Sequence, residues 1–297
     1  MRETKVIECQ ADPVEYLRFE RLAQESAVAH GIFTRIGGVS RPPFASLNAA
    51  VSVGDEPAAV RENRQRISDV MDMSLVAARP VHGGAVIEVR PGDDVAAHEW
   101  LESLHAQEAD AMMTDVPGFA LFWAFADCVP ILLYDPRHRA VALVHAGWRG
   151  STHAIAARTI EAMRERYETQ PDELLAGVAP SIGKCCYEVS EEVRERFRAN
   201  PAAWASACFE ERMDDHGDPP RTRLYLDLWE TNRRQLLAAG VASEHIEMSA
   251  LCTGCHTDRF FSHRVERGKT GRFGVAIGLA ADATRADDGA DSRWARM

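Results

Sequence analysis

Short apolar runs alternate with amphipathic segments along the 297-residue chain. The run FALFWAFADCVPILLY and the following AVALVH predict buried strands, the last two joined by a hairpin that turns at Asp135 to Arg139. Three further apolar runs bounded by turn residues predict strands: AVIEV, LLAGVAP and RFGVAIGLA. An acid and a thiol, Asp127 and Cys128, interrupt the apolar run, and a buried strand alone does not explain them.

Amphipathic spacing predicts helices between these strands. Val60, Ile67 and Val70 fit one helical face within residues 56–73. The segment STHAIAARTIEAMRERY predicts a helix with Ser151 or Thr152 as N-cap, and further helices are predicted over EEVRERFRA and LDLWETNRRQLLAAG. Strands clustered in antiparallel pairs with intervening helices indicate an α+β protein. We expect one domain over 1–280 and a mobile polar tail over 281–297.

Composition narrows the classes of function. The formal net charge is −11 and no Lys/Arg-rich run is present, so nucleic acid and anionic membranes are not expected as partners. The first residues lack the apolar segment of a signal peptide, and no window reaches the apolar length of a membrane span. We therefore expect a cytoplasmic protein with a small-molecule partner. In that compartment the seven cysteines are interpreted as thiols or metal ligands.

The hairpin register brings a thiol and an imidazole together. Pairing Tyr134 with Ala140 places His145 opposite Val129, one residue from Cys128, and a shift of one residue would place them directly opposite. Cys128 is therefore a site candidate. The competing interpretation is structural, with Cys128 as a small buried hydrophobic residue and His145 as a strand-end histidine.

Two flanking motifs favour a site. After His145 the sequence AGWRGST turns at glycines into a predicted helix N-terminus with Arg149 beside it, an arrangement suited to an anion. In RPVHGGAVIEV, His82 precedes a glycine pair at the start of another predicted strand. His82, Cys128 and His145 together would make a three-ligand set for tetrahedral zinc with one open position.

The motifs taken together resemble one family. TRIGGVS, SLNAAVSVGDEPAAVRENR, VHGGAV, EADAMMT, FADCVPILLYDP, VALVHAGWRGS, APSIGKCCYEV, CTGC and FFSHR occur in this order from about Thr34 to Ile277. The sequence is similar to the laccase-domain family, whose members are also called multicopper polyphenol oxidases, peptidoglycan editing factors and purine nucleoside phosphorylases. Departures from the pattern are Ala179, where Gly is common, and His263, where many members carry Tyr.

The resemblance implies an α+β sandwich of mixed, largely antiparallel sheets flanked by helices. It implies a zinc ion held by His82, Cys128 and His145, with copper as the alternative metal. It also implies phosphorolysis of adenosine, inosine and methylthioadenosine, together with deamination of adenosine. We assign Cys128, His145 and Arg149 to catalysis, and the phosphate or ribose contacts to Arg149, Arg64, Asn63 and Asp110, although Arg64 could be a paired helix residue and Asp110 a turn acid. A monomer or small homo-oligomer is expected.

Other functions and sites stay open at this point. A Cys–His amidase acting on a peptidoglycan precursor would use Cys128 as nucleophile, and a metabolite-binding module would need no turnover. The eleven histidines form no His-x-His pair, which disfavours a true multicopper laccase.

The motif CTGCH, from Cys252 to His256, matches the sequence pattern of a c-type haem attachment site. Haem attachment requires export, and no export signal is found in the sequence, which leaves a second metal site or a plain loop. Neighbouring Cys185 and Cys186 would point to opposite faces of an extended chain, so we expect them not to share an ion.

Overall fold

The computed structural model describes residues 6–90, 107–214 and 221–281. Except for residue 281, the predicted C-terminal tail lies outside these ranges. The strands are β1 Val6–Ala11, β2 Val14–Phe19, β3 Val28–Phe33, β4 Ser74–Val76, β5 Val86–Glu88, β6 Ala111–Thr114, β7 Phe119–Phe125, β8 Val129–Asp135, β9 Ala140–Ala146, β10 Leu175–Val178, β11 Glu188–Val189, β12 Phe209–Asp214, β13 Arg221–Leu226, β14 Ile246–Met248 and β15 Phe273–Leu279. The helices are α1 Glu20–Gln24, α2 Pro57–Met71, α3 Trp148–Thr152, α4 Ile155–Tyr167, α5 Glu191–Arg198, α6 Pro201–Ser206 and α7 Leu228–Ala238.

The strands form two six-stranded sheets and a smaller one. The first sheet has the order β1-β2-β3-β15-β7-β4, the second β14-β10-β8-β9-β6-β5, and the third β11-β13-β12. Neighbouring strands are antiparallel except in the pairs β4–β7, β5–β6 and β10–β14. This architecture confirms the predicted α+β class with largely antiparallel sheets.

Successive side chains of β8 pack alternately into two different hydrophobic cores. Leu132 and Tyr134 belong to the core between the two large sheets, together with Phe122 and Ile277 of the first sheet. The intervening residues of β8, such as Ile131, belong to the core beneath α4 and α7. Both faces of the second sheet are therefore covered, which explains why β8 and β9 are buried along their whole length and apolar except at Asp135 and His145.

The observed hairpin register differs by one residue from the predicted one. Asp135 pairs with Ala140, so Val129 lies opposite Ala146 and Pro130 lies opposite His145. The turn is shorter than expected because Asp135 remains in the ladder while its carboxylate accepts hydrogen bonds from the backbone N–H groups of Arg137 and His138, at 2.9 and 3.0 Å. The predicted proximity of Cys128 to His145 still holds. Residues opposite each other share a face, so this register places His145 on the same face as Pro130 and, two residues before it, Cys128.

One predicted helix starts later than expected. Ser151 and Thr152 lie within the short helix α3, and α4 begins at Ile155 after Ala154 adopts a left-handed conformation with φ of 53°. The expected N-cap at Ser151 or Thr152 is therefore wrong. The other helices follow their apolar spacing, and in α2 Val60 and Ile67 are buried as expected. Every helix in the described ranges is too short or too polar to cross a bilayer.

Candidate metal centre

Three potential ligand side chains converge at one end of the second sheet. His82 comes from the loop before β5, Cys128 directly precedes β8, and His145 lies near the end of β9. Their ligand atoms all lie within 4.8 Å of one another. The rings of His82 and His145 meet edge to face with centroids 5.1 Å apart, and His145 is also 5.1 Å from the Phe125 ring of the first sheet. The antiparallel pairing of β8 with β9 thus brings together residues distant in sequence.

Asp110 fixes the backbone that carries two of these ligands. Its buried carboxylate accepts hydrogen bonds from the N–H groups of His82 and Gly83, both at 2.6 Å, and from those of Val81 and Gly84. Its backbone carbonyl accepts from the N–H of His145 at 2.8 Å. Burial tends to raise the pKa of Asp110, but the backbone hydrogen bonds outweigh this effect and hold the pKa below its usual value. An ionised Asp110 therefore holds the His82 loop, whose φ of 59° at His82 is otherwise unfavourable.

The electrostatics of the trio suit a metal ligand set. Burial, and secondarily the proximity of His82, lower the pKa of His145 to about 3, so the imidazole is neutral and able to donate a lone pair. The Nδ1 atom of His145 is buried and has no hydrogen-bond partner within the described ranges. A bound cation would satisfy such a nitrogen. Zinc binds imidazole and thiolate ligands. With two imidazoles and one thiol as its three protein ligands, a tetrahedral zinc ion keeps its fourth position open. The residues present therefore fit the metal that the family implies.

The same environment opposes a free thiolate at Cys128. Burial raises the pKa of the Cys128 thiol to about 12, and the nearby Asp127 carboxylate adds to this effect. A cysteine nucleophile needs the opposite shift, because the thiolate is the reactive form. Coordination to a cation deprotonates a thiol outright. The burial of the thiol and the neighbouring Asp127 carboxylate thus favour Cys128 as a ligand over Cys128 as a nucleophile activated by His145.

Asp127 anchors the surrounding loops. Its carboxylate accepts hydrogen bonds from the hydroxyl groups of Thr253 and Ser262, at 2.7 and 2.8 Å, and from the backbone N–H of Arg264 at 2.7 Å. Its backbone carbonyl accepts from the N–H of Ile182 at 3.0 Å. Asp127 thereby ties three chain segments to the residue that precedes Cys128, which is a structural role close to the ligand set.

Two cavities flank Trp148 beside the ligand set. A cavity of about 370 Å³ is lined by His82, Trp148 and Arg149, among others. A second, of about 420 Å³, is lined by Trp148, Tyr187 and Arg264, among others. Arg149 is exposed and its guanidinium lies 4.4 Å from the centre of the Trp148 ring. The predicted turn into a helix N-terminus is present, because α3 begins at Trp148 with Gly147 as its N-cap.

Asn63 and Arg64 lie on α2, inside the protein. The Asn63 side chain bonds the backbone of Val39 and the hydroxyl of Ser40, both at 2.8 Å, and has no exposed surface. The Arg64 guanidinium donates to the carbonyl of Ala49, and burial lowers its pKa to about 9. These contacts hold the loop over residues 39–50 against α2. A substrate contact for Asn63, Arg64 or Asp110 stays a prediction.

Three residues near the ligand set were given no role by the sequence analysis: Tyr187, Arg264 and Arg272. Burial and the nearby Cys128 raise the pKa of Tyr187. The centre of the Tyr187 ring lies 5.0 Å from the Arg264 guanidinium. Arg272 has its pKa lowered by burial, while Asp127 and Cys128 act on it in the opposite sense. The guanidinium of Arg272 lies 3.2 Å from Nδ1 of His263. The motif FFSHR pointed towards this region, but only the fold brings residues 187, 264 and 272 to the same end of the sheet.

A second cluster contains only cysteines. Cys185, Cys186, Cys252 and Cys255 have their sulfur atoms within 4.8 Å of one another. Cys185 and Cys186 lie in a turn closed by the hydrogen bond from Cys186 N–H to the Gly183 carbonyl at 2.9 Å. The premise that the chain is extended at Cys185 and Cys186 is wrong, because the chain turns here and brings both sulfur atoms into one cluster.

Fold and site together define an α+β sandwich protein with a candidate metal centre between its two large sheets. Comparison with known proteins agrees with this class. The family described as "Multi-copper polyphenol oxidoreductase laccase" matches residues 29–280, and the chain belongs to this family. The matched segment contains His82, Cys128 and His145.

Several relatives are similar over most of their length. The purine nucleoside phosphorylase YlmD of Geobacillus stearothermophilus is 37% identical over 263 residues, covering 86% of this chain and 91% of the relative. The purine nucleoside phosphorylase YfiH of Escherichia coli is 34% identical over 258 residues, covering 86% and 96%. The crystal structure of YlmD from Geobacillus stearothermophilus superimposes with a TM-score of 0.81 at 35% identity, covering 93% of this chain and all of that one (100%).

Proposed function

We propose that this chain is a zinc-dependent purine nucleoside phosphorylase that accepts adenosine, inosine and methylthioadenosine and also deaminates adenosine. The observation that carries the proposal is the convergence of His82, Cys128 and His145 within 4.8 Å, beside cavities lined by arginines and Trp148. The names of the relatives, purine nucleoside phosphorylases, support the phosphorylase part of this proposal.

The ligand set determines what the metal can do. His82, Cys128 and His145 would hold zinc and leave one position for a substrate atom or water. When bound, zinc supplies a Lewis acid that polarises a substrate oxygen and acidifies water. His145 is neutral and therefore offers a lone pair, and the loop anchored by Asp110 holds His82 in place.

Arginines beside the trio suit the phosphate co-substrate. Arg149 and Arg264 line cavities on either side of Trp148, and both bring positive charge towards Tyr187. Guanidinium groups bind phosphate oxygens through paired, charge-assisted hydrogen bonds. We assign phosphate binding to Arg149 first, and stacking on the purine ring to Trp148. Contacts from Arg64, Asn63 and Asp110 to ribose or phosphate remain part of the proposal.

Two competing activities fit the site less well. A Cys–His amidase would require a reactive thiolate, whereas burial raises the Cys128 pKa to about 12. A copper oxidase would require several copper sites, whereas the described residues contain one His₂Cys set and the sequence has no His-x-His pair. We place the enzyme in the cytoplasm, as a monomer or small homo-oligomer with nucleoside and phosphate as its partners.

Product analysis tests the proposal directly. Purified protein is incubated with adenosine, with and without inorganic phosphate, and adenine, ribose 1-phosphate and inosine are quantified. We expect adenine and ribose 1-phosphate only when phosphate is present, and inosine under both conditions. Because inosine is itself a substrate for phosphorolysis, the amount of ribose 1-phosphate should equal the sum of adenine and hypoxanthine. A strong zinc chelator should abolish both reactions. Consumption of no nucleoside by zinc-loaded protein would refute the proposal, and activity that survives removal of the metal would refute its zinc dependence.

A further inference from the structure

The four-cysteine cluster lies outside the machinery proposed above. Two segments form it: the turn over residues 183–187, which carries Cys185 and Cys186, and the turn over residues 252–256, which carries Cys252 and Cys255. All four cysteines are free thiols, with Cys252 buried and Cys185 and Cys255 exposed. The sulfur of Cys255 lies 3.5 Å from that of Cys185 and 3.6 Å from that of Cys186.

These separations match one kind of ligand set. Four thiolates around a tetrahedral zinc with Zn–S bonds of about 2.3 Å lie about 3.8 Å apart. The pair Cys252 and Cys255 also has the two-residue spacing common in zinc-binding turns. Four sulfur donors select zinc or iron among the common metals, and zinc is the usual occupant of closed structural sites.

The backbone around the cluster is shaped to the thiols. The N–H of Gly183 donates to the Cys252 sulfur at 3.1 Å, a contact that stabilises a negatively charged thiolate. A β-carbon at Gly183 would lie 3.2 Å from the Cys185 sulfur, and one at Gly254 would lie 3.1 Å from the Cys186 sulfur. The absence of a side chain at both positions therefore leaves room for the sulfur atoms to converge on one metal ion.

We propose that Cys185, Cys186, Cys252 and Cys255 bind a structural zinc ion, distinct from the metal held by His82, Cys128 and His145. Binding releases the thiol protons and leaves no open coordination position, so this ion takes no substrate. It joins two turns that otherwise meet through the short bridge between Ser181 and Cys252.

The proposed zinc also stabilises the neighbourhood of the first site. Ile182, just before the first cysteine turn, and Thr253, within the second, both hydrogen-bond to Asp127, at 3.0 and 2.7 Å. Asp127 directly precedes Cys128. Tyr187, one residue after Cys186, faces the cavity beside Trp148. Loss of the structural ion should therefore loosen this end of the sheet before it affects the strands.

Metal analysis on the Cys128→Ala background separates the two sites. Since this variant lacks a ligand of the first set, zinc that it retains belongs to the cysteine cluster. We expect one zinc ion per chain in Cys128→Ala, and its loss when Cys255→Ser is added. Adding Cys9→Ser instead should leave the zinc in place, because Cys9 lies on β1, outside the cluster. Purified Cys128→Ala with no zinc, or with iron instead of zinc, would overturn the proposal.

Two measurements on the wild-type chain, cobalt spectroscopy and thiol reactivity, test the proposal without relying on variants that could misfold. In cobalt-substituted protein, four thiolates around cobalt should give an intense sulfur-to-metal charge-transfer band. The cluster thiols should also react with a disulfide reagent only after a chelator has removed the metal. Thiols that react fully before chelation, or cysteines found paired as disulfides in freshly purified protein, would contradict a metal-bound cluster.

Discussion

The backbone of Gly147 lies directly against the thiol of Cys128. A β-carbon at Gly147 would lie 2.6 Å from the Cys128 sulfur, a distance at which real β-carbons essentially never approach another atom. The turn that leads from His145 into α3 therefore passes over the thiol only because residue 147 is glycine. This close approach links the motif around Cys128 to the motif around His145, and it makes the geometry of the metal centre sensitive to one methyl group.

We predict that Gly147→Ala lowers the affinity for zinc and destabilises the fold. The added methyl must displace either the Cys128 sulfur or the start of α3, and overpacking of this kind costs about 1–3 kcal/mol. Zinc content and urea unfolding measure the two effects. Gly83→Ala is the matched control beside another ligand, because its β-carbon would meet only a Val81 methyl at 3.8 Å. Equal zinc content in the two variants would contradict the close contact at Gly147.

Asp110→Asn should weaken zinc binding by about 10–100-fold, the range seen when a group that orients a metal ligand is lost. The amide keeps only one acceptor oxygen for four backbone N–H donors, so the His82 loop loses its anchor. Competition with a coloured chelator gives the affinity. Asp115→Asn, at an exposed carboxylate, is the control. An unchanged zinc affinity in Asp110→Asn would show that the carboxylate does not position His82.

Arg149→Ala should raise the KM for phosphate about 10- to 100-fold while changing the KM for adenosine little, because a charge-assisted contact is lost on the phosphate side. Initial rates at varied phosphate and saturating adenosine provide the test. Arg164→Ala, which removes an exposed arginine paired with Glu161, should leave both constants unchanged. If Arg149→Ala behaves like Arg164→Ala, the phosphate site lies elsewhere.

Stability of the metal-free protein should fall as the pH drops below about 6.5. Burial lowers the pKa of both His30 and His145 from 6.5 to about 3, so the unfolded chain binds more protons in this window. Each histidine then reduces the free energy of unfolding by up to about 1.4 kcal/mol per pH unit. Urea unfolding between pH 7.5 and 5 measures this slope. His30→Gln should reduce the slope by one histidine's share, and a slope of zero in the wild type would exclude buried neutral imidazoles.

Periodicity predicted the elements that build the site because both faces of the second sheet are covered. Such burial makes β8 and β9 apolar except at Asp135 and His145, and α2 and α4 show the corresponding apolar stripes. The proximity of two of the three ligands could also be predicted from the sequence, because a hairpin confines Cys128 and His145 to one end of the sheet whichever register is chosen.

The hairpin register and the four-cysteine cluster depend on turn geometry and could not be predicted from the sequence. The pairing of Asp135 with Ala140 depends on hydrogen bonds from the turn to a carboxylate. The four-cysteine cluster depends on a turn at Gly183 and on the meeting of segments about seventy residues apart. No local pattern encodes contacts of that range.

Zinc add-back to metal-free protein tests the central claim most directly. Wild type and Cys128→Ala are stripped of metal, titrated with zinc, and assayed for adenine release from adenosine in the presence of phosphate. We predict that the wild type regains phosphate-dependent activity in proportion to the zinc that it binds in excess of the zinc bound by Cys128→Ala, whereas Cys128→Ala remains inactive although it folds. Full activity of the metal-free wild type, or activity in Cys128→Ala comparable to the wild type, would contradict a metal-dependent phosphorylase centred on Cys128.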